Sequence, residues 1–180
     1  MTARDFKLHV LPVSNKLLRF AVQFLKDEEQ AKDAVQDVFL KLWQKRDGLA
    51  KVENMEAFAM RILRNRCLDI IRLNRFVPVE DDKLRRLSGE KSDPDREMDL
   101  SETALLVRDA IGKLPEVQRQ VMWLRDIEQM DYEEIAGITD LEINALRVNL
   151  SRARKKVRDE LLKYQDYGTG RSENTVAKIF

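Results

Sequence analysis

A chain of 180 residues, with 36 % charged residues, six glycines and four prolines, has room for one medium domain or two small ones and favours helices over sheets. One cysteine, Cys67, excludes an internal disulfide framework, and with one histidine, His9, it argues against structural zinc, which needs several Cys or His ligands. The net charge of +1 excludes no partner, because the charge is segregated along the chain, and no segment reaches the roughly 18 uninterrupted apolar residues of a membrane span.

The first residues lack the long apolar segment and small-residue cleavage site of a signal peptide, so the expected location is the cytoplasm. Residues 5–26 read as helical, with Phe6, Leu17, Leu18, Ala21, Val22 and Leu25 at apolar positions. Pro12 moves the start of the regular helix beyond itself, with Ser14 as N-cap. Residues 27–30 form a polar break. Ala31, Ala34, Val35, Val38, Phe39, Leu42 and Trp43 then make one continuous apolar stripe of an amphipathic helix. Lys32, Asp33, Gln36, Asp37, Lys41 and Gln44 fill its other side. Leu40 is off the stripe and is expected to be exposed. Asp47 and Gly48 end this helix, and 48–55 reads as a loop. The next helix, 56–74, is expected to bury Phe58, Ala59, Ile62, Leu63, Cys67, Ile70 and Ile71. Its outer face carries Arg61, Arg64, Arg66, Arg72 and Arg75 against one acid, Asp69.

From 77 to 100 the chain is too polar to bury a core and reads as a flexible acidic linker. Helical pattern resumes at about 101, with Leu105, Leu106, Ala110 and Ile111, and stops near Gly112. Pro115 suits the first turn of a further helix, with Val117, Val121, Met122 and Leu124 inward. Between 126 and 142 stand seven acids and no Lys or Arg; between 147 and 158 stand six Lys or Arg and no acid. A short acidic helix, a tight break and a basic second helix make the pattern of a helix-turn-helix whose second helix enters a DNA groove. The tail, 164–180, reads as frayed.

On the basic helix, Arg147, Ser151 and Arg154 share a face, flanked by Val148 and Arg152. Arg can chelate guanine or grip phosphate, while Ser and Val can meet hydroxyl or methyl positions. Ile143, Leu146, Leu150 and Val157 would anchor the helix. A lone basic run is more often a solvated helix end; the acidic helix and break before it favour the DNA reading. The arginine face of 56–75 weighs evenly between tracking a nucleic-acid backbone and simple solvation, with Phe58 and Trp43 assigned to the core. The polar face of 31–43 can dock a partner helix. No phosphate loop, nucleophile elbow or paired-His motif is present, so no catalysis, cofactor or metal is expected.

Three ordered blocks carry a resemblance: AKDAVQDVFLKLWQK at 31–45, EAFAMRILRNRCLDIIRLNR at 56–75, and 111–161 around MDYEEIAGITDLEINALRVNLSRARKK. Together they resemble a sigma factor of bacterial RNA polymerase, of the extracytoplasmic-function group, and the last block is similar to Bacteroidetes-type members. The resemblance implies an all-α protein of two small helical domains: sigma region 2 at 5–76, the linker at 77–100, and sigma region 4 at 101–163. It implies that Asp33, Gln36, Asp37 and Leu40 dock the clamp helices of the polymerase largest subunit, and that the flap of the second-largest subunit is a further contact. The 48–56 loop would capture a flipped base of the −10 element, with Arg61, Arg64 and Asn65 holding the adjacent strand. Arg147, Val148, Ser151 and Arg152, with Arg154 beside them, would read the −35 element, and Arg125 and Tyr132 would touch phosphate. Promoter DNA, core polymerase and an anti-sigma factor are the partners implied.

Departures from the family pattern are Asp140 where a turn glycine is frequent, Glu142 where a Ser cap is usual, Met60 where an aromatic is common, and Val148 and Asn149 for Ser and Arg. Asp140 tolerates a left-handed backbone. A stand-alone operator-binding regulator leaves the 31–75 block unexplained. A sigma mimic without DNA binding would have lost the basic helix, which is intact.

Overall fold

The computed structural model describes residues 2–76 and 102–167, and every regular element among them is helical. The linker, 77–100, and the tail beyond 167 lie outside the described residues. The described chain forms two compact units, one of the residues up to 76 together with Gly137–Asp140 and one of the remaining residues from 102.

In the N-terminal unit, α1 (Ala3–His9) starts in a reciprocal capping box. The Asp5 N–H donates to Thr2 Oγ1 at 3.2 Å, and the Thr2 N–H donates to the Asp5 carboxylate at 2.9 Å. The Thr2 N–H, and then the Thr2 hydroxyl, which donates at 2.8 Å, hold the Asp5 carboxyl below its ordinary range. Pro12 sits in a 3-10 turn, Leu11–Val13, that runs straight into α2 (Ser14–Leu25). Ser14 is therefore the first residue inside α2 and not its cap, because the Leu11 carbonyl already takes its N–H.

Lys26 ends α2 in a left-handed conformation, φ 56°, with its N–H on the Val22 carbonyl at 2.9 Å. Asp27 then caps α3 (Glu28–Gln44): its Oδ1 accepts the Gln30 N–H at 2.9 Å. The polar break at 27–30 is thus one cap and the first turn of the next helix. Glu28 and Glu29 suit that turn's positive dipole end. A second 3-10 turn, Leu49–Lys51, buries Leu49, and Asn54 Oδ1 accepts the Ala57 N–H at the start of α4 (Met55–Phe76).

Helices α2, α3 and α4 each pack on the other two. Leu17, Phe20 and Phe24 of α2, Ala31, Ala34, Val38 and Leu42 of α3, and Ala59, Met60, Leu63 and Cys67 of α4 are the buried core. Each large side chain buried here contributes about 1.5–3 kcal/mol. Burial pushes the Cys67 thiol up to about 12, so it is a packing residue and not a nucleophile.

The inward stripe of α4 is rotated from the expected one. Met60 is fully buried, whereas Phe58 is 36 % exposed and Ile62, Ile70 and Ile71 are half-buried. Trp43, expected in the core, is 37 % exposed. Its ring meets Phe6 edge-on at 5.1 Å, and Arg46 lies 4.7 Å from its centroid. It sits in the last turn of α3, where α1 covers one side and solvent the other.

After residue 101 the described elements are α5 (Glu102–Gly112), α6 (Glu116–Met122), a π-helical turn (Trp123–Ile127), α7 (Tyr132–Thr139) and α8 (Ile143–Tyr167). Pro115 takes the cap position of α6. The 25 residues of α8 run about 37 Å and form the spine on which α5 and α6 pack. Leu146, Leu150, Ala153, Val157 and Leu161 are its buried stripe, and Ile143 is half-buried. Val121, Met122 and Leu124 point inward as expected, but Val117, in the first turn of α6, is exposed. Lys113 ties α5 to the far end of α8: its Nζ reaches Asp109 at 2.8 Å, Glu160 at 2.9 Å and the Tyr164 hydroxyl at 3.0 Å.

Candidate nucleic-acid interface

The geometry of the interface starts at the π-helical turn. The Glu128 N–H returns to the Trp123 carbonyl at 3.0 Å, and the Met130 N–H to the Leu124 carbonyl at 3.0 Å. Gln129 between them takes φ 57°. Trp123 Nε1 donates to the buried Glu128 carboxylate at 3.3 Å, which gives that acid a partner away from water. Helix α7 opens with Glu134 accepting the Asp131 N–H at 2.7 Å. It ends at Asp140, φ 59°, the left-handed residue of the tight turn. The Leu146 N–H bonds the Glu142 carbonyl at 3.0 Å, so α8 is wound within two residues of that turn. Ile135 and Ile138 on α7 and Leu146 on α8 are buried, and the first two turns of α8 present their opposite side to solvent.

On that side Arg147, Val148, Ser151 and Arg152 are all exposed. Asn149 is turned away, its Nδ2 donating to the Ala145 carbonyl at 2.9 Å. Arg147 Nη1 reaches Asn144 Oδ1 at 3.3 Å, and its guanidinium lies 5.4 Å from the Tyr132 ring centroid. Arg125 lies 4.9 Å from the same centroid. Its Nη1 also donates to the Met130 carbonyl at 2.6 Å. The fold thus brings Arg125, Tyr132 and Arg147 into one group, from three segments of the chain. Arg154 is placed differently. Its Nε and Nη2 grip both carboxylate oxygens of Asp126, at 3.0 and 2.6 Å, and this pairing pushes its affinity for the proton up. Lys155, Lys156 and Arg158 continue the exposed basic run.

In the N-terminal unit, Arg61, Arg64 and Asn65 occupy one side of α4 over a single turn. Arg61 and Asn65 are exposed, and the half-buried Arg64 reaches Asn65 Oδ1 at 3.3 Å. Arg66 instead turns to α3, where its Nη2 and Nε sit 2.8 and 2.9 Å from Asp37 Oδ2. On the outer side of α3, Asp33 and Gln36 are exposed, and Leu40 is 56 % exposed, as its off-stripe position predicts.

A shallow cavity of about 400 Å³ opens at the loop before α4. Leu49, Val52, Glu53 and Met55 line it, with Asp5 and His9 contributed by α1. Sequence reasoning placed no α1 residue at this loop, because nothing local links positions some 40 residues apart.

Residues 10–76 match the family Sigma-70 region 2, and residues 104–157 match Sigma-70, region 4. The chain is 30 % identical over 146 residues to the RNA polymerase sigma factor SigV of Bacillus subtilis, covering 81 % of this chain and 84 % of that one. It is 25 % identical over 168 residues to the ECF RNA polymerase sigma-E factor of Haemophilus influenzae, covering 88 % of each. Among solved structures, the sigma factor RpoE of Bartonella quintana, in complex with the anti-sigma factor NepR, superposes with a TM-score of 0.70 at 24 % identity, over 89 % of this chain and 98 % of that one. The two helical units, the helix-turn-helix with its basic second helix, and these likenesses converge: the chain belongs to the extracytoplasmic-function sigma factors of bacterial RNA polymerase.

Proposed function

We propose that this sigma factor directs promoter-specific initiation by reading the −35 element with the start of α8 and the −10 element with the N-terminal unit. The observation that carries the reading is the exposed group Arg147, Val148, Ser151 and Arg152, set on the first turns of a helix just past a tight turn. A groove-bound helix presents such residues to base edges. Arg125 and Tyr132 flank the group and serve the phosphate backbone. Arg154 stiffens the same helix through Asp126 and adds its charge beside the backbone.

In the N-terminal unit the 48–56 loop takes the −10 base, and the cavity beside it supports that role. Arg61, Arg64 and Asn65 hold the adjacent strand. Asp33, Gln36, Asp37 and Leu40 dock the clamp helices of the polymerase largest subunit, and the C-terminal unit meets the flap of the second-largest. The exposure of Leu40 supports this, since an apolar side chain standing clear of its own core is a candidate for burial by a partner. The domains run 5–76 and 101–163, around the linker at 77–100 and before the tail at 164–180. The protein acts in the cytoplasm, catalyses nothing itself, and is held in check by an anti-sigma factor, as the Bartonella relative is seen bound to one. The block at 111–161 is similar to Bacteroidetes-type members of the group.

The test is transcription by core polymerase reconstituted with Arg147→Ala on single-base variants of the −35 element. Loss of about 1–3 kcal/mol confined to one promoter position is expected of a base contact. An equal loss on every promoter with a smaller salt slope marks a phosphate contact instead. Wild-type activity and preference throughout would remove Arg147 from the reading surface.

A further inference from the structure

Arg147 is one of the four exposed residues proposed to read the −35 element, and little in its own helix holds its side chain. Among the described residues, its side chain has one hydrogen bond within α8, the 3.3 Å contact to Asn144 Oδ1, one turn back. An exposed arginine so held keeps most of its rotamer freedom and gives it up when it docks on a base. The Tyr132 ring changes this. Its centroid lies 5.4 Å from the Arg147 guanidinium and 4.9 Å from that of Arg125. Arg125 is itself pinned, through the 2.6 Å bond to the Met130 carbonyl and a 3.4 Å contact to Asp131 Oδ1. The ring stands in the first turn of α7, which Glu134 caps at the Asp131 N–H. A rigid platform on the first helix of the motif therefore underlies a flexible arginine on the second.

We infer that Tyr132 is a positioning residue for base recognition: its ring, and not its hydroxyl, holds Arg147 in the orientation that reads the −35 element. This rests on the reading of Arg147 as a base contact and goes beyond the phosphate role assigned to Tyr132. Stacking of a guanidinium on an exposed aromatic ring is worth about 0.5–1 kcal/mol, or about two- to fivefold in discrimination between bases. Preorganisation of this kind favours the right base over the wrong one because only the right base accepts the fixed fork.

The test uses full-length variants in reconstituted holoenzyme, assayed on the single-base −35 series. The readout is the ratio between best and worst base at the position that Arg147 senses. Partial unfolding lowers activity on all promoters alike and leaves this ratio unmoved. Tyr132→Leu is expected to shrink the ratio about two- to fivefold. Tyr132→Phe is expected to keep the ratio, with any loss shared by all promoters. In the Arg147→Ala background, Tyr132→Leu is expected to change the ratio no further, since the two residues act as one unit. An unchanged ratio in Tyr132→Leu, equal loss in Tyr132→Phe, or additive losses in the double variant would each overturn the inference. If Arg147→Ala itself keeps full discrimination, the base-contact reading falls and the inference with it. Loss of the ratio in Arg147→Ala with an intact ratio in Tyr132→Leu sinks the positioning role alone.

Discussion

Arg154→Ala distinguishes a residue that builds the recognition helix from one that reads with it. In sequence, Arg154 shares a face with Arg147 and Ser151. In the structure its guanidinium grips Asp126 with two bonds, at 3.0 and 2.6 Å. The Arg154 side chain is 43 % exposed and that of Asp126 is 22 % exposed. Hydrogen bonds to charged groups contribute about 1.5–3 kcal/mol when shielded. Exposed ion pairs contribute about 0.2–1 kcal/mol. The bidentate geometry and the burial of Asp126 place this pair between those limits, at about 1–2 kcal/mol, and truncation also leaves the Asp126 carboxylate without its cation. For a unit of this size each kcal/mol moves the melting temperature by about 4–8 °C. Arg154→Ala should therefore lower the melting transition of the C-terminal unit by roughly 4–16 °C, read by circular dichroism. A cycle with Asp126→Ala should recover most of the loss as coupling. On the −35 series the variant should weaken every promoter equally. An unchanged melting curve together with flattened preference at one base position would refute the reasoning and move Arg154 onto the reading surface.

Three further perturbations test other parts of the molecule. Leu40→Ser should weaken binding to core polymerase in a fluorescence titration while melting stays within about 0.5 kcal/mol of wild type, whereas Asp37→Arg, which faces Arg66 across a lost 2.8 Å contact, should lose stability as well; wild-type affinity of Leu40→Ser for core enzyme would remove α3 from the docking surface. Lys26→Gly relieves a left-handed φ of 56° at the end of α2 and should stabilise the N-terminal unit by about 0.5–1 kcal/mol, measured by urea titration; a destabilised variant would mean that the Lys26 side chain carries weight there. Around Lys113, hydrogen bonds from Lys113 and then Lys163 hold the Glu160 carboxyl below its ordinary 4.5, so its stabilisation is present above that pH and is lost as pH falls through the lower folded value. Bonds to Asp109, then Tyr164 and Glu160, raise the Lys113 ammonium above its ordinary 10.5, so its contribution is complete below that pH and is lost only in stronger alkali. Glu160→Gln should melt below wild type at neutral pH and converge with it in acid; a constant gap down to pH 2 would contradict this linkage.

Much of this protein was legible in its sequence, and for a local reason. The apolar stripe of α3, the off-stripe Leu40, the acidic and basic helices around a tight turn, and the tolerance of Asp140 for a left-handed backbone depend on neighbours within about four positions. The family resemblance follows from the order of the same blocks. Tertiary structure decided what those neighbours cannot. The rotation of α4, which buries Met60 and frees Phe58, is set by its packing against both α2 and α3, because adjacent stripes on one helix are equally periodic. Helix boundaries shifted where a cap was shared, as at Ser14 and Asp27. Asp37 meets Arg66 and Asp126 meets Arg154 across separations of 29 and 28 residues. In composition all four are surface charges; only their placement on adjoining helices makes them pairs. The grouping of Tyr132 with Arg125 and Arg147 has the same origin, since a ring finds a cation by where the backbone sets it, and that position is a property of the packed motif rather than of any segment within it.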